Sequence, residues 1–535
     1  MVVTLEKDNK LVHYTVENAQ SEMLLSDILQ QCGIPFDMPC GGRGTCRKCR
    51  VWVSGDLQQP GAAEQALLTP QELAEGVRYA CMAKVTGDVT VRLSEKGKSA
   101  ILTKGDLAPH ILQPWGKEYG IVVDIGTTTL AGYLYRLSDE AQLATAAMPN
   151  PQAVFGADVI SRLQASSEGQ SEALAQNIRN GLLALMGELT VKAGTAPERV
   201  DAVVLTGNTA MLYLLTQHPV NSLIAVPFEQ DRCFGEMHTA SELFGTDELP
   251  VNPAAVVYLP RTVAAYVGAD ITTAMMTTGF DGVPAQDGVC LLADIGTNGE
   301  MALWTPDQVY VCSTAAGPAF EGAGLSCGMS ARDGAINKVE YRDGKLVSQV
   351  IGGGTAVGMC GSGVVDAIAA LLEAGVMDET GRLWMDGHDF EEAMCTVDGQ
   401  PAIRLPETTV VLTQADVRAI QLAKSAIAAG MLALLNAAGL KPQQVKTLYL
   451  AGGFGNCIDV GSAAAIGLIP QQLADAAKPV GNAAGAGAAV LLLDKEKKAA
   501  SETLAANAKN LELSTDPYFM DQYVEQMMFG GDDYM

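Results

Sequence analysis

No stretch of the 535-residue chain offers the ~20 uninterrupted apolar residues that a membrane-spanning helix needs. The most apolar run, SAIAAGMLALLNAAGL at 425–440, is short, rich in alanine and preceded by Lys424, so a buried helix is expected there. The N-terminus, MVVTLEKDNK, lacks the basic start and apolar stretch of a secretion signal. A cytoplasmic protein without a membrane partner is the expectation. Basic residues are also scarce: 35 Lys and Arg face 61 Asp and Glu, a formal charge of −26. Binding nucleic acid requires phosphate neutralisation by Lys and Arg, so no nucleic-acid partner is expected. The P-loop pattern G-x-x-x-x-G-K-[ST] is absent, which excludes that route to a nucleotide. Histidines number only five and none lies beside a glycine-rich turn.

What is present begins with cysteine. Twelve cysteines in a chain expected inside the cell point to metal binding or burial rather than a disulfide framework. Four of them, Cys40, Cys46, Cys49 and Cys81, read C-x5-C-x2-C followed 32 positions later by the fourth. Plant-type ferredoxins use C-x4-C-x2-C…C, and the longer first gap resembles the adrenodoxin-like branch. Gly41, Gly42 and Gly44 suit a loop that turns tightly and aims backbone N–H groups at inorganic sulfide. A four-cysteine zinc site is the alternative. Such sites usually bring two closely spaced pairs, and here only Cys46 and Cys49 are so paired. A 2Fe-2S cluster is therefore the expected occupant.

Around this motif, residues 1–97 read as a β-grasp module: strands near 2–6 and 11–16 meeting at Asp8–Asn9, then a helix with Leu24, Leu25 and Ile28 on one face. Cys32, outside the motif, is expected to pack as a small hydrophobe. This segment holds ten bases and twelve acids, a net of −2, and Arg43, Arg47, Lys48 and Arg50 interleave with the cysteines. That rim is a candidate docking edge for an acidic partner, with a solvated surface as the alternative.

Residues 98–118 carry Pro109 and Pro114 without periodicity and read as a linker; some 21 extended residues could span roughly 70 Å. Beyond it, short apolar strands alternate with glycine turns and Ala-rich helices, the pattern of an α/β protein. Two segments echo each other, VVDIGTTTLAGYLY at 122–135 and LLADIGTNGEMALW at 291–304. In each, an aspartate (Asp124, Asp294) ends a strand, where it can hold Mg²⁺ through water. The turns that follow, Gly126-Thr127-Thr128-Thr129 and Gly296-Thr297-Asn298-Gly299-Glu300, offer N–H and O–H donors to phosphate. A third element, LYLAGGFGNCID at 448–459, places Gly452, Gly453 and Gly455 after a strand, where missing side chains let a nucleotide approach the backbone.

This triplet, in this order, resembles the acetate and sugar kinase, Hsp70 and actin superfamily, in which two α/β lobes clamp ATP. Joined to a 2Fe-2S module, the whole chain resembles the reductive activators of corrinoid proteins. The likeness extends to NPQAVFGADVISRL (150–163), VLTGNTAML (204–212), LPRTVAAYVGAD (259–270), TAAGPAFEGAG (314–324), TQADVRAIQLAKSAIAAGM (413–431) and ELSTDPYFMDQYVEQMMF (512–529). The resemblance implies a ferredoxin domain at 1–97, a linker at 98–118, a middle domain at 119–196 forming the first ATPase lobe, and a C-terminal ATPase domain at 197–535. It implies ATP-dependent, one-electron reduction of Co(II) to Co(I) in a corrinoid partner, either a corrinoid iron-sulfur protein or a methyltransferase corrinoid subunit. Asp124, Asp294 and Glu300 would act in ATP turnover, and a homodimer stays open as the assembly. No C-terminal segment with two 4Fe-4S motifs is present, so an external electron donor is expected. Each ~59 mV of an uphill one-electron step costs a factor of ten, which ATP hydrolysis must offset. The competing readings are a small-molecule kinase with a redox-sensing domain, which would need a base that no histidine supplies, and a ferredoxin carrier with a nucleotide-binding assembly module that does not turn over.

Overall fold

The computed structural model describes residues 1–7, 10–16, 22–32, 34, 49–65, 67–93, 105, 107–156, 158–246, 248–278 and 288–530. The chain packs as two units: residues 1–97 with 149–178, and residues 98–148 with 179–535.

In the first unit, alternation of apolar and polar residues builds a sheet ordered Lys10–Thr15, Val2–Lys7, Lys84–Leu93, Arg50–Leu57, Val77–Tyr79. Val2–Lys7 and Lys84–Leu93 run parallel as neighbours, the first strand lying against the last as a β-grasp requires. Helix Leu25–Gln31 buries Leu25, Ile28 and Leu29 against Val3, Val51, Val85 and Val91. Leu24, expected on that helix, instead ends the short strand Met23–Leu24 beside Lys84–Leu93. Cys32 closes the helix and packs half-buried on the core. The expected Asp8–Asn9 turn lies outside the described residues. A buried ion pair braces this unit. Glu64 accepts from Arg78 Nε at 3.0 Å and Nη2 at 2.7 Å, and from the backbone N–H of Tyr79 at 2.8 Å.

The second unit contains two six-stranded sheets that repeat one plan. The first is ordered Glu236–Thr239, Val256–Leu259, Val200–Gly207, Tyr119–Ile125, Thr129–Arg136, Ala141–Pro149. The second is ordered Ala477–Gly481, Val445–Ala451, Val289–Ile295, Gly299–Trp304, Val309–Thr314, Lys509–Asn510. In each, the opening strand pairs antiparallel with its hairpin partner on one side and parallel with a later strand on the other. The first sheet draws strands from both sides of residue 197, where a domain boundary was expected. Nearly continuous Val, Ile and Leu in the opening strands follows from burial on both faces.

The Ala-rich run lies in helix Gln414–Ala437, which has the length and apolarity to cross a membrane yet is mostly buried inside the chain. Ile420, Ile427, Met431 and Leu434 are fully buried in the core of the second sheet. Helix Ala483–Leu493 returns to the first sheet and crosses helix Ala269–Thr277 so closely that a Cβ on Gly487 would sit 1.7 Å from Thr273 O. Residues 107–118, expected as linker, are docked within this unit. Ile111 N–H donates to Asp494 at 2.9 Å, Gln113 pairs by backbone with Leu493 and Lys495, and Trp115 Nε1 donates to Leu491 O at 2.9 Å. Backbone pairing needs no hydrophobic period, so an aperiodic, proline-bearing segment concealed it.

Candidate functional site

Two sites emerge, one in each unit. In the first, Cys49 and Cys81 are both buried, and their sulfurs lie 3.3 Å apart. Cys49 leads into strand Arg50–Leu57 and Cys81 follows Val77–Tyr79; the antiparallel pairing of those strands brings together two thiols 32 positions apart. Such convergence fits two ligands of one cluster. Cys40 and Cys46 lie outside the described residues, as do Arg43, Arg47 and Lys48. Arg50, the fourth base of the expected rim, is engaged in an ion pair with Glu72 at 2.5 Å.

The second site is built by the two echoing hairpins. Asp124 lies at the end of its strand, with Gly126 N–H donating to Thr129 O at 3.0 Å to close the turn. Asp294 is the next-to-last residue of the corresponding strand, where Gly296 N–H donates to Asn298 O at 3.1 Å. The register sets Asp294 directly opposite Glu300, two acids on one face of one hairpin. Such a pair is unfavourable in an ordinary sheet. Asp270, in the first turn of helix Ala269–Thr277, joins them.

These carboxylates perturb one another. Burial, opposed by a hydrogen bond from Asn482, raises Asp124 to about 6. Burial and then Asp124 raise Asp294 to about 7. Burial, then Asp294 and Asp124, raise Asp270 to about 8. Glu300 is pushed well above the carboxylate range by burial, then by Asp270 and Asp294. A divalent cation entering with phosphates would reverse this logic, since its charge favours every ionised form. Among the described residues no three acids, cysteines or histidines converge closely enough to ligate a metal directly. Mg²⁺ held through water and phosphate oxygens suits that spacing.

Other groups complete the site. Asn482 Oδ1 accepts from Gly485 N–H at 2.7 Å, capping helix Ala483–Leu493, and this leaves its Nδ2 to donate to Asp124 at 3.0 Å. Asn208 Nδ2 donates to Thr127 Oγ1 at 3.1 Å. Thr128 and Thr297 each donate to Glu321, at 2.8 and 2.7 Å. Gly452 has φ +86°, and a Cβ there would lie 2.5 Å from Asp294 Oδ1, so only glycine fits. Gly453 faces open space with no atom within 4 Å, as an approaching ligand requires, whereas Gly455 packs on Leu450 of the preceding strand. Thr129 and Gly299 open the second strands of the two hairpins.

Asp270, Asn482, Asn208 and Glu321 were not singled out by sequence reasoning. The first had a legible signal: Gly268 precedes an acid at a helix start, and a Cβ on that glycine would lie 2.3 Å from Asn208 Cα. Asn482 had one too, as a capping residue before an Ala-rich helix.

Comparison with known proteins matches three consecutive segments of the chain. Residues 7–86 match a 2Fe-2S iron-sulfur cluster binding domain, residues 119–282 the RACo middle region, and residues 288–534 the C-terminal domain of RACo, the ASKHA domain. Corrinoid activation enzyme RamQ of Eubacterium limosum is 30% identical over 96% of this chain and 97% of its own length. The [Co(II) methylated amine-specific corrinoid protein] reductase of Methanosarcina barkeri is 27% identical over 77% of each chain. A solved structure, the reductive activator for corrinoid, iron-sulfur protein, superposes with a TM-score of 0.68 at 27% identity, covering 99% of this chain and 98% of its own.

Proposed function

Because the chain belongs to the RACo family of reductive activators of corrinoid proteins, we propose that it uses ATP hydrolysis to drive one-electron reduction of a Co(II) corrinoid protein to Co(I). The observation that carries this reading is the joining, in one chain, of the buried Cys49–Cys81 thiol pair to a two-sheet ATPase fold with paired aspartate turns. When bound, a 2Fe-2S cluster supplies one electron at a time. Cys40, Cys46, Cys49 and Cys81 would hold it.

In the ATPase, Asp124 and Asp294 would hold Mg²⁺ through water, and Thr127, Thr128, Thr129 and Thr297 would face phosphate, while Gly126 and Gly296, whose N–H groups close the turns, would shape them. Gly299 and Asn298 shape the second turn, Gly453 would leave room for the nucleoside end, and Gly452 and Gly455, packed against Asp294 and Leu450, would hold the backbone of that turn in place. Glu300 and Asp270, both holding protons more tightly than ordinary carboxylates, would exchange a proton with the attacking water. Opening and closing of the two lobes would couple this turnover to the partner's cobalt by a population shift. The electrons come from an external donor. The partner is a corrinoid protein.

Mixing the reduced protein with Co(II) corrinoid proteins, with and without Mg-ATP, tests the proposal. The Co(I) absorption band should grow only when ATP is hydrolysed. Phosphorylation of a small molecule without any Co(I) signal would sink it in favour of a kinase.

A further inference from the structure

The segment TAAGPAFEGAG at 314–324 has no role in the reading above, yet it delivers one carboxylate to both hydroxyl-bearing turns. Thr128 Oγ1 donates to Glu321 Oε2 at 2.8 Å, and Thr297 Oγ1 donates to Glu321 Oε1 at 2.7 Å. Thr128 belongs to the turn of the first sheet and Thr297 to the turn of the second. The two oxygens of one side chain thus tie together the two turns expected to receive phosphate. Paired anionic oxygens, each accepting a short O–H donor, are what a phosphoryl group would offer these threonines. Each hydroxyl has a single proton to give, so the two anions compete.

Glu321 is not a chance visitor from a loose loop. It ends the short 3-10 turn Pro318–Glu321, and the next residue, Gly322, has φ +75° with its ideal Cβ 2.4 Å from Met329 O. The preceding Phe320 stacks on Phe454 at 4.6 Å, just beyond Gly452 and Gly453. Gly317 N–H donates to Thr297 O at 2.9 Å. The backbone therefore aims the carboxylate at the turns.

Resting on the nucleotide reading of this site, we propose that Glu321 is a phosphate-competing latch: it holds Thr128 and Thr297 in the nucleotide-free chain, and the nucleotide's phosphate engages them only by displacing it. Displacement has a route outward. Ser326, five residues on, donates to the Asp416 carboxylate through its backbone N–H at 2.6 Å and its hydroxyl at 2.5 Å. Asp416 lies in the first turn of the long core helix Gln414–Ala437.

The test is calorimetric titration of full-length wild type, Glu321→Gln and Glu321→Ala with Mg-ADP and a non-hydrolysable Mg-ATP analogue. Removing a competing anion should tighten binding, by about tenfold for Ala and less for Gln, the scale of a broken charge-assisted hydrogen bond. A residue with a merely structural role would weaken binding when lost. Glu321→Gln keeps the side-chain shape and carries the test if Glu321→Ala does not fold. Unchanged or weaker affinity in the variants overturns the latch. So does unchanged affinity with loss of hydrolysis at saturating ATP, which would place Glu321 in the chemical step. Wild type that binds neither nucleotide would instead overturn the nucleotide reading itself.

Discussion

Replacing Asp294 by Asn should make the nucleotide-free ATPase unit more stable while ending its turnover. A carboxyl whose native pKa lies above its unfolded value holds its proton more tightly when folded. The folded state is therefore favoured at low pH and penalised as pH rises through the window between the two values. For Asp294 that window runs from 3.8 to about 7. At pH 7 the penalty amounts to about 4 kcal/mol, at ~1.4 kcal/mol per tenfold change in proton affinity. Asp294 is only partly buried, and solvent screening halves the realised value to about 2 kcal/mol. Asp294→Asn removes the ionisation and keeps the shape. Scanning calorimetry in EDTA, without nucleotide, should show the ATPase transition stabilised by about that amount at pH 7 to 8. The gain should vanish near pH 4, where the wild-type carboxyl is already protonated. Mg-nucleotide should stabilise wild type and leave the variant almost unmoved. Destabilisation at pH 7, or a gain that does not change with pH, would refute the electrostatic account of this site.

Cys81→Ser should bleach the visible spectrum of the cluster and end corrinoid reduction, while ATP hydrolysis measured by phosphate release is retained. Gly452→Ala forces a side chain into left-handed backbone and against the Asp294 carboxylate; it should cost about 1–3 kcal/mol and lower ATP turnover at least a hundredfold in steady-state assays. Glu64→Ala removes the carboxylate partner of the buried Arg78 guanidinium in the first unit. Loss of one partner from such a pair costs about 3–5 kcal/mol, which should appear as early loss of cluster absorbance on heating. An unchanged cluster-loss temperature would contradict the bracing role.

The site was legible where chemistry is written in adjacent residues and hidden where the fold assembles it. Asp124 and Asp294 each stand before a glycine and hydroxyl turn, and the repetition of that pattern marked both. Both hairpins formed as read, because strand, tight turn and strand are local events. The domain order was legible for a similar reason, since cysteine spacing and glycine turns need no knowledge of packing. Asp270, Asn482 and Glu321 reach the same place from a helix start, a helix cap and a short 3-10 turn, each far away in sequence. No spacing rule connects them to the hairpins. Residues 107–118 were misread because they dock through backbone pairing and the Trp115 indole rather than a repeating apolar face. The cross-strand pair Asp294 and Glu300 was visible in sequence but could not be weighed there, since its cost depends on burial and on Asp270. In an ordinary hairpin two facing acids would be separated by a register slip or masked by a base. Here neither escape is available: the register is fixed by six cross-strand partners, and each strand of the hairpin pairs on its far side with another strand. The fold therefore stabilises an arrangement that local propensity opposes, and a site held against its own repulsion is one that a cation and phosphates can reorganise on arrival.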